Sequence, residues 1–272
     1  MKRLLRMAAL AMAVVAGRIW GILPGRMRRG AIFALLVLES RAAGPRAALS
    51  SLLRIEDDLD LVVDERATAM GRGEHPKHRL TRYADFFSGH IGDGDRVLDI
   101  GCGGGFVARA IAAARPAASI TGIDMDPAKI AIAEAGANPP NLRFATGDAT
   151  KGLPDGRFDV VVLSNVLEHI DARPEFLRAV VAATGARTIL LRVPLFERDW
   201  RLPMRRELGL PYVSDPDHRI EHTLAEFAAE LSAAGLVAAE QRLAWGEIWA
   251  HCRPMDLQEP SASADPTTGR SA

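Results

Sequence analysis

The chain has 272 residues, 48% hydrophobic and 25% charged. That suits one large α/β domain with additions and excludes both a disordered polymer and a fully membrane-embedded bundle. Lys plus Arg and Asp plus Glu balance at 34 each, yet residues 1–54 hold ten Lys/Arg against a single acid, Glu39; such a block marks either a solvated helix face or attraction to an anionic surface, a membrane ahead of nucleic acid. Cys102 and Cys252 are the two cysteines; they build no disulfide framework and offer no metal-ligand spacing, so a cytoplasmic protein is expected and no metal.

Lys2, Arg3 and Arg6 precede the apolar run Met7 to Ala16, which imitates a secretory leader, but the run continues into Arg18, Ile19 and Trp20. Neither it nor Ala31 to Leu38 reaches the roughly 20 apolar residues that span a bilayer, so peripheral contact with an anionic membrane is expected rather than a crossing. Helical periodicity covers Ala31 to Glu39 and Pro45 to Ala69, with Pro45 in a first turn and Gly71 and Gly73 as a stop. A polar link with His75 and His78 leads to a predicted helix over Leu80 to Phe87. Apolar β-rich runs then alternate with helices: strands at Val97 to Ile100, Ile120 to Ile123, Leu142 to Ala145, Phe158 to Leu163 and Thr188 to Val193, with helices at Phe106 to Arg115 and Pro127 to Ala135. This alternation predicts a parallel sheet covered on both faces.

The stretch Pro194 to Glu221 is too long for a bare connection and reads as a lid or substrate-binding insertion. A helix over Leu224 to Ala234 follows, then Leu236 to Leu243 and Ile248 to Cys252 as a terminal antiparallel pair. The expected organisation is a basic helical extension (1–79), a catalytic domain (80–253, insertion 194–222) and a disordered tail (254–272).

The strongest chemical signal is Val97-Leu98-Asp99-Ile100-Gly101-Cys102-Gly103-Gly104-Gly105, a strand ending in an acid and a glycine turn that opens a helix. Glycines suit a turn that needs positive φ and a backbone that touches a ligand. A dinucleotide fingerprint wants its third glycine where Phe106 stands and has no use for Asp99, whereas a cationic ligand with an amino-acid end does use a carboxylate there. Asp124 closes the next strand about 20 residues on, where an acid accepts ribose hydroxyls; Asp126 is better placed as the helix cap, and Met125 would cover one face of an adenine. Asp148, after the third strand, is either an acceptor for an adenine amino group or a common turn residue.

These elements, with Phe158 to His169, resemble the class I S-adenosylmethionine-dependent methyltransferases. The resemblance implies a Rossmann-like, doubly wound seven-stranded α/β sheet, mostly parallel with an antiparallel last strand, and S-adenosyl-L-methionine as cofactor. It puts the cofactor contacts on Asp99, Gly101, Cys102, Gly103, Gly105, Asp124, Met125, Asp148, Ala149 and Asn165.

Methyl transfer from a sulfonium is chiefly an alignment problem, and a base is needed only if the acceptor loses a proton. His218, in Asp215-Pro216-Asp217-His218-Arg219-Ile220-Glu221-His222, is the preferred base, with Asp215 beside it and His169 as the second candidate; each also has a structural reading, as a staple of the insertion or of the turn. His75 and His78 are expected at the same cleft or as helix caps. His218 to His222 also matches the letters of an H-x-x-E-H zinc motif, set aside because the upstream glycine loop explains the chain better. The expected activity is O-methylation of a small-molecule, glycan or lipid-linked acceptor. A nucleic-acid methyltransferase and a non-catalytic, membrane-recruited cofactor-binding protein are the alternatives.

Overall fold

The computed structural model describes residues 15–255; the leader-like start of the chain and the tail beyond Met255 lie outside them. The chain divides into two compact units, Met1–His75 with Met204–Pro211, and Pro76–Pro203 with Tyr212–Ala272.

In the first unit, residues 15–22 are helical (α1), followed by α2 (Gly25–Glu39) and α3 (Pro45–Met70). The sequence places the start of α2 six residues too late, because Gly25 to Gly30 is basic and glycine-flanked and lacks an apolar stripe. No residue of α2 is buried, and α3 buries only Ala48 and Leu53. Arg205, from the segment that joins this unit, lies against α3, where its guanidinium donates to Asp57 Oδ2 (3.0 Å) and to the Leu53 carbonyl oxygen (2.7 Å). No described helix is long and apolar enough to cross a membrane.

The second unit opens with α4 (Lys77–Thr81) and α5 (Tyr83–Gly89). The single helix expected over Leu80 to Phe87 is broken at Arg82, which adopts a left-handed φ of 55°; helical periodicity continues through a one-residue hinge that rotates the next turn. The sheet is built from β1 (Arg96–Ile100), β2 (Ser119–Asp124), β3 (Leu142–Thr146), β4 (Val160–Ser164), β5 (Thr188–Pro194), β6 (Leu236–Ala244) and β7 (Glu247–Pro254), in the order β3-β2-β1-β4-β5-β7-β6. β1 to β5 pair in parallel; β7 runs antiparallel between β5 and β6. The crossovers are α6 (Phe106–Ala114), α7 (Pro127–Glu134), α8 (Arg173–Thr184), α9 (Arg201–Leu208) and α10 (Leu224–Ala233). Neither α8 nor α9 is expected from the sequence: α8 buries Phe176, Leu177, Val180 and Thr184, and α9 lies inside the expected lid, where the boundary between the two units falls.

Alternate strand residues feed opposite cores. Leu98, Val161, Leu163 and Leu191 face α8 and α10 residues such as Leu177 and Phe227. Val97, Val160, Val162 and Leu190 face Phe87, Ile111 and Trp249. A sheet buried on both faces explains the unbroken apolar runs. The strand order reverses between β1 and β4, and ligands of such sheets lie outside the carboxyl ends at that point.

Candidate functional site

The carboxyl end of β1 carries the glycine turn. Gly101 and Gly103 sit at φ of 69° and 53°, where a Cβ is strained. A Cβ on Gly101 would also stand 2.6 Å from Val166 Cγ2, while nothing lies within 4 Å of one on Gly103, so the backbone there faces open space. Arg109 of α6 braces the turn by donating to the carbonyl oxygens of Gly104 and Ala133. Cys102 donates its N–H to the Ile123 carbonyl oxygen (2.9 Å), which ties the turn to β2, and its thiol is buried.

Two acids flank this turn. Asp99 is almost fully buried and its Oδ2 has no hydrogen-bond partner. Burial pushes its pKa up to about 8, against a backbone hydrogen bond from Ala108, and the Asp124 charge adds to the rise. Asp124 accepts from the N–H of Gly103 (2.9 Å, Oδ2) and of Asp126 (2.9 Å, Oδ1). A carboxylate has about four lone-pair sites, so two remain for a ligand. Asp126 caps α7 by accepting from Ala128 N (2.8 Å), and Met125 beside it is 70% exposed. Asp148 is engaged within its own turn, accepting from Thr150 N (3.0 Å), Thr150 Oγ1 (2.6 Å) and Lys151 Nζ (2.8 Å), and the Lys151 and Thr150 bonds hold its pKa down at about 2. Ala149 packs on the core below, and Asn165, exposed at φ of 54°, forms the turn after β4.

A second cluster follows β4. The 3-10 turn Leu167–His169 presents Glu168 and His169, and the loop after Pro211 brings His218 to them. The His169 and His218 rings meet edge to face at 4.6 Å, and Arg219 N donates to the Glu168 carbonyl oxygen (2.7 Å), which fastens the loop. His218 Nδ1 lies 3.1 Å from Glu221 Oε1, and Glu221 also accepts from Ser214 N (2.6 Å), Ser214 Oγ (2.7 Å) and the Arg198 guanidinium. Burial opposes ionisation of Glu221, but these four donors prevail and hold it at about 2. Burial likewise lowers His218, yet the Glu221 bond and the Glu168 charge outweigh it and leave its pKa raised; burial and then the His218 charge lower that of His169. Asp215 is exposed and holds the loop by accepting from His218 N through its backbone (3.0 Å), while Asp217 lies 3.8 Å from His169.

His222 does not join the cluster. It is fully buried, hydrogen-bonds Glu230 Oε2 (3.0 Å), and lies with His218 in non-helical chain, so the zinc-motif letters lack the helix that gives them meaning. His78 stacks on Phe106 at 4.1 Å, at the mouth of the glycine turn, while His75 belongs to the other unit, 3.3 Å from Asp64.

Sequence reasoning missed the buried charges Arg192, Glu168 and Glu221 near the site. Arg192, in the middle of β5, makes a two-pronged pair with Glu247 (2.6 and 2.7 Å), donates to Ser164 Oγ (3.1 Å), and lies 3.8 Å over the Tyr83 ring; a lone arginine inside Thr-Ile-Leu-Leu-Arg-Val-Pro was the available signal. Glu168 and Glu221 carried none, because each stands in a turn or loop whose local pattern does not show that it is buried.

A family profile described as a methyltransferase domain matches residues 98–184. The chain is similar to the ubiquinone biosynthesis O-methyltransferase of Methylobacterium nodulans, 30% identical over 181 residues that cover 60% of this chain and 71% of that one. It is also similar to the ribosomal protein L11 methyltransferase of Thermus thermophilus, 36% identical over 136 residues, 49% of this chain and 51% of that one, so the chain spans about half the length of that relative. Among solved structures, the magnesium protoporphyrin IX methyltransferase of Synechocystis PCC 6803 with bound SAH shares the fold at a TM-score of 0.51 and 18% identity, over 64% of this chain and 83% of that one.

Proposed function

Because the chain belongs to the class I S-adenosylmethionine-dependent methyltransferases, we propose that it transfers a methyl group to a hydroxyl of a small-molecule, glycan or lipid-linked acceptor. The observation that carries the reading is the buried Asp99 carboxylate, whose Oδ2 has no partner, beside a glycine turn whose backbone is open to a ligand. An unpaired buried carboxylate is unfavourable until a donor or a cation meets it, and the amino-acid end of S-adenosylmethionine supplies one. Asp124, already oriented by two backbone N–H groups, has lone pairs left for ribose hydroxyls.

S-adenosylmethionine brings a methyl on a positively charged sulfur, so its leaving group is activated on arrival. The chain's task is then to align an acceptor and take up its proton. The corner of Glu168, His169 and His218 lies at the same sheet edge, one strand from β1. Its two imidazoles have pKa values displaced in opposite directions, which is the usual sign of divided acid and base roles. This favours hydroxyl acceptors, whose proton must go somewhere, over acceptors that need no base. Calorimetry with S-adenosylhomocysteine tests the cofactor half of the reading, and the absence of saturable heat from folded protein would overturn it. Incubation with labelled cofactor and fractionated extract tests the acceptor: label in lipid, glycan or small molecules supports the proposal, label in RNA moves the chain to nucleic acid, and none at all makes it a binding protein.

A membrane-surface role for the first unit has its own support. Ile19, Trp20, Ile22, Ile32 and Phe33 are exposed on α1 and α2 beside Arg18, Arg26, Arg28 and Arg29, the combination that lays helices on anionic bilayers.

A further inference from the structure

Glu168, His169 and His218 each offer a ligand atom within 4.8 Å of the other two. Glu168 is wholly buried, and neither of its carboxylate oxygens has a hydrogen-bond partner. A buried carboxylate pointed at two imidazoles, with nothing donated to it, is an arrangement that a cation completes. We propose that these three side chains bind one first-row divalent transition cation.

The surroundings are those of a metal site. A ligating histidine commonly gives its other ring nitrogen to a carboxylate, which fixes tautomer and orientation. His218 does this through Nδ1 and Glu221, itself immobilised by Ser214 and Arg198, and so keeps Nε2 for the ion. His169 turns its Nδ1 toward Asp217 at 3.8 Å, which again leaves Nε2. Two imidazoles and one carboxylate suit zinc or iron(II) better than magnesium or calcium, which prefer oxygen alone. Bonds of about 2.0–2.1 Å put ligand atoms roughly 3.4 Å apart around a tetrahedral ion, so ligand atoms up to 4.8 Å apart draw together by up to about 1.4 Å. Three protein ligands would leave a coordination position open for a further ligand.

The sequence offered no such site, because its metal-like letters joined His218 to His222; the fold joins His218 to Glu168 and His169 instead. If the methyl-transfer reading holds, on which this role alone rests, the two imidazoles are held as ligands, and the cation, in place of a free imidazole base, fixes the acceptor hydroxyl and lowers its pKa. The proton then leaves to solvent, the oxygen attacks the methyl carbon and the carbon–sulfur bond breaks.

The test uses the full chain freed of metal by a chelator and titrated calorimetrically with zinc sulfate, with S-adenosylhomocysteine titrated separately. One equivalent of zinc should bind, and Glu168→Gln, His169→Ala and His218→Ala should each weaken it at least tenfold while nucleoside binding persists. Glu221→Gln should weaken it about tenfold to a hundredfold. Cobalt(II) added to unmutated protein should give visible d–d bands that saturate at one equivalent, a measurement independent of how the variants fold. No saturable zinc heat, zinc binding indifferent to all three ligand substitutions, or no cobalt bands would each overturn the site. Zinc bound without S-adenosylhomocysteine would leave the site standing and fell the methyl-transfer reading, and the reverse result would do the opposite.

Discussion

Asp99 is almost fully buried beside the glycine turn. Its carboxyl titrates at about 8 in the folded chain and near 4 when unfolded. Between those values the folded state keeps a proton that the unfolded state has lost, so this group makes the protein less stable as pH rises through the window. Asp99→Asn removes the penalty. Scanning calorimetry of the ligand-free protein should give the variant a Tm roughly 2–4 °C higher at pH 8, with the gap closing toward pH 4; equal melting at pH 8 would refute the burial argument. The same variant should bind S-adenosylhomocysteine about tenfold or more weakly, as loss of a charged hydrogen bond implies. His218, also raised, titrates in the same sense as Asp99, and the depressed Glu221 in the opposite one. The raised His218 contributes stability that is complete below about pH 6.5 and lost as pH rises through its folded pKa, while the depressed Glu221 contributes above about pH 4.5 and loses it as pH falls toward 2. Glu221→Gln should therefore lower the His218 pKa, which imidazole proton resonances would report. Asp99 and Asp124 were visible in the sequence because both close a strand beside the glycine turn; Glu168 was not, because burial without a partner is a property of packing.

Among the elements, the strands and the two early crossovers were read to within about two residues, since apolar runs and proline or glycine boundaries are local features. The break at Arg82 escaped because a single left-handed residue leaves the helical pattern on both sides intact. α10 shows the converse, a helix whose start is written in sequence: Thr223 accepts from Glu226 N (3.1 Å) and Glu226 returns a bond to Thr223 N (3.0 Å). This helix also supplies Glu230, the partner of His222, which anchors the loop that carries His218. Thr223→Ala should cost about 1 kcal/mol of stability, read from chemical denaturation with an unchanged slope, and no loss at all would show that packing alone sets the start of α10.

At the level of the whole molecule, the basic excess of residues 1–54 and the exposed apolar residues of α1 and α2 belong to the first unit, whereas the glycine turn and the histidine corner belong to the second. Deleting residues 1–30 is expected to reduce co-sedimentation with anionic vesicles and leave S-adenosylhomocysteine affinity unchanged; undiminished sedimentation would end the membrane reading. Sequence by itself determined the sheet's alternation and the strand–glycine turn–helix that marks the cofactor edge, because those depend on residues within a few positions of one another. Only the tertiary structure decided that Met204–Pro211 packs with the N-terminal helices, that Arg192 meets Glu247 and Tyr83, and that His218 meets Glu168 and His169 rather than His222. Those meetings join stretches far apart in the chain, and no local preference encodes them; they exist because closing the sheet and filling its two cores leaves these side chains nowhere else to go.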